Sequence, residues 1–226
     1  MSVATMILGE SGTGKSASLR NLNPADCLLI QAVRKPLPFK SAGWKPYNKS
    51  DSTGSVVVTD HTPHIEGAMR KIDRPIVIID DFQYILANEF MRRVTDKEVG
   101  NAAFQKYNEI ARSAWDVLMA ASGLADHRRV YILSHTSTDD FGNTKIKTIG
   151  KLLDEKIVLE GLVTIVMRSM LRDGEYVFST RNSGSDTTKS PMGMFDAPYI
   201  DNDLAAVDAA ICDYYGTPTT KQLKAA

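Results

Sequence analysis

Apolar residues along this chain fall into short runs, and stretches of helical periodicity separate them. Val3 to Leu8 is an apolar run that stops at Gly9; a polar Gly-rich turn follows, then a helix-compatible stretch from Lys15 to Leu22. Cys27 to Val33 reads as a second buried strand, and Lys35 to Lys49, with three prolines and one glycine, as an irregular excursion. Ser55 to Thr59 is strand-like, Thr62-Pro63 has the form of a cap followed by proline at the first helical position, and Ile65 to Ile72 continues that helix. Pro75 to Ile79 gives a third hydrophobic strand. From Phe104 to Ala121 the side chains Phe104, Tyr107, Ile110, Ala111, Ala114, Trp115 and Leu118 recur at three- and four-residue steps, which predicts a helix lying on a sheet. Val130 to Leu133 is another buried strand. Val163 to Leu171 and Tyr176 to Thr180, joined around Asp173-Gly174, read as a hairpin that adds an antiparallel edge. A last helix, capped near Asp201 or Asn202, puts Leu204, Val207, Ile211 and Tyr215 on one face. Strands alternating with helices imply an α/β fold with a mainly parallel central sheet covered on both faces. One domain over residues 1–216 is expected, with 217–226 a loose polar tail.

Charge narrows the function classes. Lys plus Arg and Asp plus Glu both count 27, so no global field draws nucleic acid or an anionic membrane, and any nucleic-acid site must be local. No apolar run approaches the roughly 20 residues of a spanning helix. Met1 leads straight into a strand, so a soluble, cytoplasmic protein is expected. Cys27 and Cys212 sit in apolar surroundings and are expected as small buried hydrophobes.

The chemistry begins at the first turn. Gly9-Glu10-Ser11-Gly12-Thr13-Gly14-Lys15-Ser16 satisfies G-x-x-x-x-G-K-[ST] between a strand and a helix, the context that confirms a phosphate loop, with Ala17 following. Its glycines let backbone N–H groups converge on a polyphosphate, Lys15 places a charge at the β- and γ-phosphates, and Ser16 offers a hydroxyl to Mg²⁺. Ile76-Val77-Ile78-Ile79-Asp80-Asp81 is a β-branched run ending in two acids, the Walker B pattern, with Asp80 expected to hold magnesium or its water. ATP with Mg²⁺ is the implied ligand pair. Two readings stand for Asp81: an acid that orients the attacking water, or the N-cap of the next helix. Glu10 is a weaker rival for the base.

Tyr131-Ile132-Leu133-Ser134-His135 carries a buried strand into polar residues, and His135 is the candidate sensor of the γ-phosphate, against a histidine satisfied by local backbone. The polar segment Thr136 to Gly150 reads as a mobile loop or hairpin. Its Phe141, Lys145 and Lys147 suit stacking on a base and contacting phosphates of a single strand, though a solvated hairpin fits its composition equally. Asn48-Lys49-Ser50-Asp51 spells the guanine-recognition motif of GTPases but precedes the Asp80 strand, so a solvated turn accounts for it better. Asp60, His61 and His64 are read as helix-start residues in preference to a metal site. Among Lys145, Lys147, Arg168, Arg181 and Lys189, the pair Arg181 and Lys189 flanks an Asn-Ser-Gly-Ser-Asp segment that reads as flexible, and is the first choice for a cationic finger offered to a neighbouring subunit's nucleotide. No Arg-rich lid follows the central helix, which counts against a small-molecule kinase.

With both Walker motifs, the strand ending in His135, and the phrases Lys35-Pro36-Leu37-Pro38-Phe39-Lys40 and Lys189-Ser190-Pro191-Met192-Gly193-Met194-Phe195, the chain resembles the phage nucleotide-binding AAA family, which includes RecA-like single-strand annealing proteins of bacteriophages. The resemblance runs from Val3 to about Tyr215. It implies a RecA-like P-loop ATPase core that binds single-stranded DNA, promotes annealing or recombination beside a single-strand-binding protein, forms homo-oligomers, and works in the host cytoplasm. By position, the segment after His135 matches the DNA-binding loop of RecA-like proteins. An ATPase acting on a protein partner, in helicase loading or DNA packaging, is the alternative. Two departures stand out. RecA-type cores usually carry the catalytic glutamate after the second strand, which here ends Gln31-Ala32-Val33-Arg34 with no acid. No segment before the first strand corresponds to the RecA oligomerisation arm, so filaments of that style are not expected.

Overall fold

The computed structural model of the chain describes residues 1–95 and 101–225. In chain order its strands and helices are β1 (Val3–Gly9), β2 (Cys27–Gln31), β3 (Val56–Val58), α1 (Thr62–Lys71), β4 (Ile76–Asp80), α2 (Gln83–Arg92), α3 (Asn101–Ser122), β5 (Arg129–Thr138), β6 (Thr144–Ile146), β7 (Ile165–Arg172), β8 (Glu175–Ser179), β9 (Tyr199–Asp201), α4 (Leu204–Tyr215) and α5 (Thr220–Ala225). The sheet order is β3-β2-β4-β5-β1-β7-β8-β9, with β6 paired to the far end of β5. The six strands from β3 to β7 in that order run parallel, while β8 and β9 close one edge antiparallel. This is the expected class, mixed α/β with a mostly parallel central sheet, and it places one strand, β5, between β1 and β4.

The strands are apolar on both sides because helices cover both sides. Along β5, Val130 and Ile132 pack with α1, α2 and α3 through Ile65, Met69, Ile85, Ile110, Ala114 and Leu118. The intervening Tyr131 and Leu133 pack with Leu19 and with Leu204, Val207 and Ile211 of α4. The same two-residue alternation runs through β1, β2 and β4, and it explains why these segments read as continuous hydrophobic runs. A buried ion pair fastens α4 to β5: fully buried Arg129 donates Nε and Nη2 to the two oxygens of Asp208 at 2.9 and 2.9 Å, and Tyr131 donates its hydroxyl to the same carboxylate at 2.6 Å. Cys27 and Cys212 are both free and buried, as expected.

Several local expectations are corrected. The stretch after the phosphate loop is a six-residue 3₁₀ turn, Ser16–Asn21, in place of an α-helix. Ser18 draws its own hydroxyl back to the Lys15 carbonyl at 2.6 Å, and Asn23-Pro24 immediately opens a separate turn capped by the Asn23 side chain, so no length remains for an α-helix. Phe104 is 71% exposed although it lies on the periodic stripe of α3. Helix α1 is capped at His61, one residue early, with Pro63 in its first turn. Helix α4 is capped by Asp203, which accepts from Ala205 N–H at 2.9 Å, one or two residues after the expected cap, and Asp201 is the last residue of β9. The stretch expected as a loose tail contains α5, and Thr220 meets Arg129 at 3.4 Å.

Candidate active site

Parallel strands of one sheet deliver their carboxyl ends to one edge, and the side chains that follow those ends share a cleft. Here β1 ends in the phosphate loop, β2 runs on to Lys35, β4 ends in Asp80 and Asp81, and β5 passes through His135. The cleft they form is about 620 Å³, and Gly12, Lys15, Ser16, Lys35, Asp81 and His135 are among the residues that line it.

The loop is shaped by its glycines and held from outside. Gly14 sits at φ +95, and a side chain there would press on Tyr176 and Asn202; a side chain at Gly9 would meet the Ser169 carbonyl at 2.5 Å. Ser169 of β7 donates its hydroxyl to the Thr13 carbonyl at 2.6 Å, and Asn202 donates to Ser169 at 3.0 Å. Thr13 also folds its hydroxyl onto the Glu10 carbonyl at 2.9 Å. Among the described residues, no backbone N–H from Ser11 to Lys15 donates to another protein group, which leaves these donors unclaimed within the chain. Lys15 is buried, its ammonium bridging the carbonyls of Gly9 and Glu10 at 2.9 and 2.8 Å, and burial pulls its pKa below the ordinary lysine value. Glu10 itself points outward and is exposed.

The acids divide their surroundings. Asp80 is fully buried, and the Ser16 hydroxyl stands 3.0 Å from each of its oxygens. Burial, and then the charge of Asp81, push its carboxyl up to about 7. A hydroxyl and a carboxylate converging beneath a phosphate loop are hard oxygen donors of the kind magnesium accepts alongside phosphate oxygens and water, so Ser16 and Asp80 fit that ion. Asp81 follows through a cis peptide bond and is 3% exposed. Lys35 donates to its Oδ2 at 2.6 Å, His135 Nε2 lies 3.7 Å away, and its Oδ1 has no partner. Burial alone would raise the Asp81 carboxyl, yet His135 and Lys35 hold it well below the usual carboxylate range. Helix α2 has Phe82 at its N-cap position and no side-chain cap, so the Asp81 side chain serves the cleft and not the helix end. His135 also meets the Tyr84 ring edge-on at 5.9 Å.

Lys35 is the residue sequence reasoning missed. Its ammonium, 2.6 Å from Asp81 and 3.9 Å from Asp80, faces both acids from the position just after β2. The absence of an acid after the second strand was legible; the cation standing there with a partner on the neighbouring strand was not. Ser169 and Asn202, which brace the loop, carried no signal in the sequence either.

The remaining candidates lie away from the cleft or beside it. The segment after His135 is a hairpin: β5 continues to Thr138 and pairs with β6, Thr136 opposite Ile146. Phe141 at its tip is 90% exposed, Lys147 is exposed, and Lys145 donates to the Asp154 carbonyl at 2.7 Å. Arg181 is exposed and donates to the carbonyls of Phe195 and Asp196 at 3.3 and 2.9 Å, whereas Lys189 is half-buried and exchanges backbone hydrogen bonds with Val166. Arg168 pairs with Asp186 at 3.8 Å. The segment between Arg181 and Lys189 is not slack: Asp186 accepts from Thr188 N–H at 2.9 Å and from the Ser183 hydroxyl at 2.7 Å, and Ser185 accepts from Thr144 N–H at 2.7 Å. Asn48 and Asp51 accept from Ser50 and Thr53 in exposed, self-satisfied turns. Asp60 binds Asn88 and Arg92 at 2.7 and 2.7 Å, His61 meets His64 edge-on, and among the described residues no group of three or more His, Cys, Asp or Glu side chains could hold a metal ion. No described helix is long and apolar enough to cross a membrane.

No family model matches the chain. No curated protein sequence matches it. Among solved structures it is similar to an ATPase from the type III secretion system of pathogenic bacteria, at 14% identity and TM-score 0.45, over 74% of this chain and 51% of that one. It is also similar to a KaiC-like protein from the hyperthermophilic archaeon Pyrococcus horikoshii OT3, at 11% identity and TM-score 0.38, over 78% of this chain and 76% of that one. The chain thus spans about half the length of the secretion-system ATPase.

Proposed function

We propose that the chain is a magnesium-dependent ATPase of the RecA-like class that works on single-stranded DNA, as phage proteins that anneal or recombine strands do. The observation that carries the ATPase reading is the Ser16 hydroxyl 3.0 Å from both oxygens of buried Asp80, with the unpartnered Oδ1 of Asp81 in the next residue. Bound Mg²⁺ supplies charge neutralisation on the phosphate oxygens, and Ser16 and Asp80 are the residues to hold it. Lys15 and the N–H groups of the loop, Gly9 to Ala17, take the polyphosphate. Asp81, kept ionised by Lys35, accepts the proton of the attacking water at Oδ1, and His135, whose Nε2 lies 3.7 Å from the other oxygen, Oδ2, is the candidate sensor of the γ-phosphate. Arg181 or Lys189 of an adjoining copy is the candidate to complete the site in a homo-oligomer.

The single-strand part is supported by the resemblance carried in the Lys35 to Lys40 and Lys189 to Phe195 phrases, which also points to a phage origin and a single-strand-binding protein as companion. A second reading, an ATPase acting on a protein partner in replication or packaging, is favoured by the hairpin tip, where exposed Phe141 stands among Asp139, Asp140, Lys145 and Lys147, whose charges cancel. Phosphate release with Mg-ATP, measured with and without an oligonucleotide, separates the two. Lys15→Ala is expected to abolish turnover, because the charge facing the transferred phosphoryl group is gone. Wild-type turnover in that variant would overturn the ATPase reading.

A further inference from the structure

From Cys27 to Ser50 the chain has no acidic residue, yet it carries Arg34, Lys35, Lys40, Lys45 and Lys49, interleaved with Phe39, Trp44 and Tyr47. In a chain whose charges balance overall, this is a concentrated local excess of cations. Arg34, Lys40, Lys45 and Lys49 are all exposed, and among the described residues none of their side chains enters a hydrogen bond or ion pair. The hairpin after His135 offers less: two lysines against Asp139 and Asp140, with Lys145 already engaged by the Asp154 carbonyl.

The excursion is also pre-shaped. Tyr47 N–H bonds the Val56 carbonyl at 2.8 Å, Ser55 and Val56 bond the Lys45 carbonyl at 2.9 and 3.0 Å, and Phe39 and Trp44 meet edge-on over the core. These ties seat the segment beside edge strand β3 and leave a cavity of about 830 Å³ lined by Arg34, Lys35, Trp44, Tyr47, Lys49 and Val58. Trp44 and Tyr47 line it half-buried, and Arg34 and Lys49 line it without ion-pair partners among the described residues, the combination by which proteins take a single strand, bases against rings and phosphates against ammonium or guanidinium groups. Lys35 lines this cavity and the phosphate-loop cleft alike.

We propose that the excursion from Arg34 to Lys49 is the principal contact for single-stranded nucleic acid. The proposal rests on the single-strand reading above and names its surface. A strand held there has its phosphates next to the lysine that neutralises Asp81, so occupancy of the excursion is felt at the hydrolytic cleft through one shared side chain.

The test is an anisotropy titration of fluorescein-labelled oligothymidylate with the full chain, Mg²⁺ and ATP across a salt series. In Arg34→Gln/Lys40→Gln/Lys45→Gln/Lys49→Gln, the salt slope is expected to fall by about 0.7 for each phosphate no longer neutralised, about 2.8 for four, with affinity at low salt down at least about tenfold. The milder Arg34→Gln/Lys49→Gln is expected to lower the slope by about 1.4. Lys145→Gln/Lys147→Gln is expected to change both quantities less, and strand-free ATP turnover is expected to survive in all three. If the wild type binds and both excursion variants bind with its slope and affinity, the surface is wrong while the single-strand reading stands. If the wild type does not bind at low salt, the single-strand reading itself fails. A duplex that competes as well as the unlabelled single strand would also overturn the assignment, since an electrostatic surface without stacking makes no such distinction.

Discussion

Asp81→Asn separates the two roles that the sequence left open for this residue. Asparagine caps helices about as well as aspartate, so a capping Asp81 would tolerate the change. A carboxylate that takes a proton would not, since the amide cannot accept one. The fold itself should hold. Asp81 loses its charge against Lys35, 2.6 Å away, but the Lys35 side chain is 36% exposed and solvent takes up part of that loss. In return Asp80 loses the neighbouring negative charge that, after burial, raises its pKa. The two effects oppose each other, and a net stability change of about 1 kcal/mol or less is expected. The effect on turnover is far larger. Removing a positioned general base lowers the rate by about 10² to 10⁴, which is about 2.7 to 5.4 kcal/mol of barrier. Because the interaction belongs to the transition state, nucleotide affinity should stay within about threefold. Phosphate release at saturating Mg-ATP, read beside a fluorescent-nucleotide titration and a urea melt, gives all three numbers. An Asn variant that turns over within about threefold of the wild type refutes the assignment of Asp81 as base.

Two further outcomes probe the metal donors and the scaffold behind them. Ser16→Cys replaces a hard oxygen by sulfur, so turnover is expected to be lost with Mg²⁺ and partly restored with Mn²⁺; equal activity with both ions would remove Ser16 from the metal's ligands. Asp208→Ala strands the buried Arg129 guanidinium and the Tyr131 hydroxyl, and urea denaturation is expected to show a loss of about 3 to 5 kcal/mol, whereas Arg129→Met/Asp208→Leu should cost much less. A loss below about 1 kcal/mol for Asp208→Ala would mean the pair does not fasten α4 to β5.

What could be read from the sequence follows the range of the interactions involved. The central strands were legible because each is buried on both faces and therefore continuously apolar, and the loop from Gly9 to Ser16 because its function demands a fixed residue pattern over a short span. Asp80 and Asp81 were legible as the end of such a strand. Phe104 is exposed despite its place on the stripe, because periodicity tells which face of a helix is apolar but not whether a partner covers every position along it. The turn after Lys15 was mistaken for an α-helix because composition permits one, while a single hydroxyl bond from Ser18 and the following Asn23-Pro24 decide against it. Ser169 and Asn202 reach the loop from residues far along the chain, and no local pattern marks a side chain whose partner is a distant carbonyl.

Lys35 and Asp81 are best understood together. Strands β2 and β4 are neighbours in register, Gln31 opposite Asp80, so whatever follows one strand faces whatever follows the other. Two carboxylates buried side by side do not share one state: burial and the charge of Asp81 push Asp80 up to about 7, while Lys35, 2.6 Å from Asp81, and His135 keep Asp81 ionised. An acid after β2 would have made a third carboxylate in the same cleft. The chain instead carries its second acid at the end of β4 and a charge of opposite sign at the end of β2. The acid at the end of β4 thus stays beside the phosphate loop, and the lysine that keeps it ionised lines both the cleft and the cavity of the basic excursion.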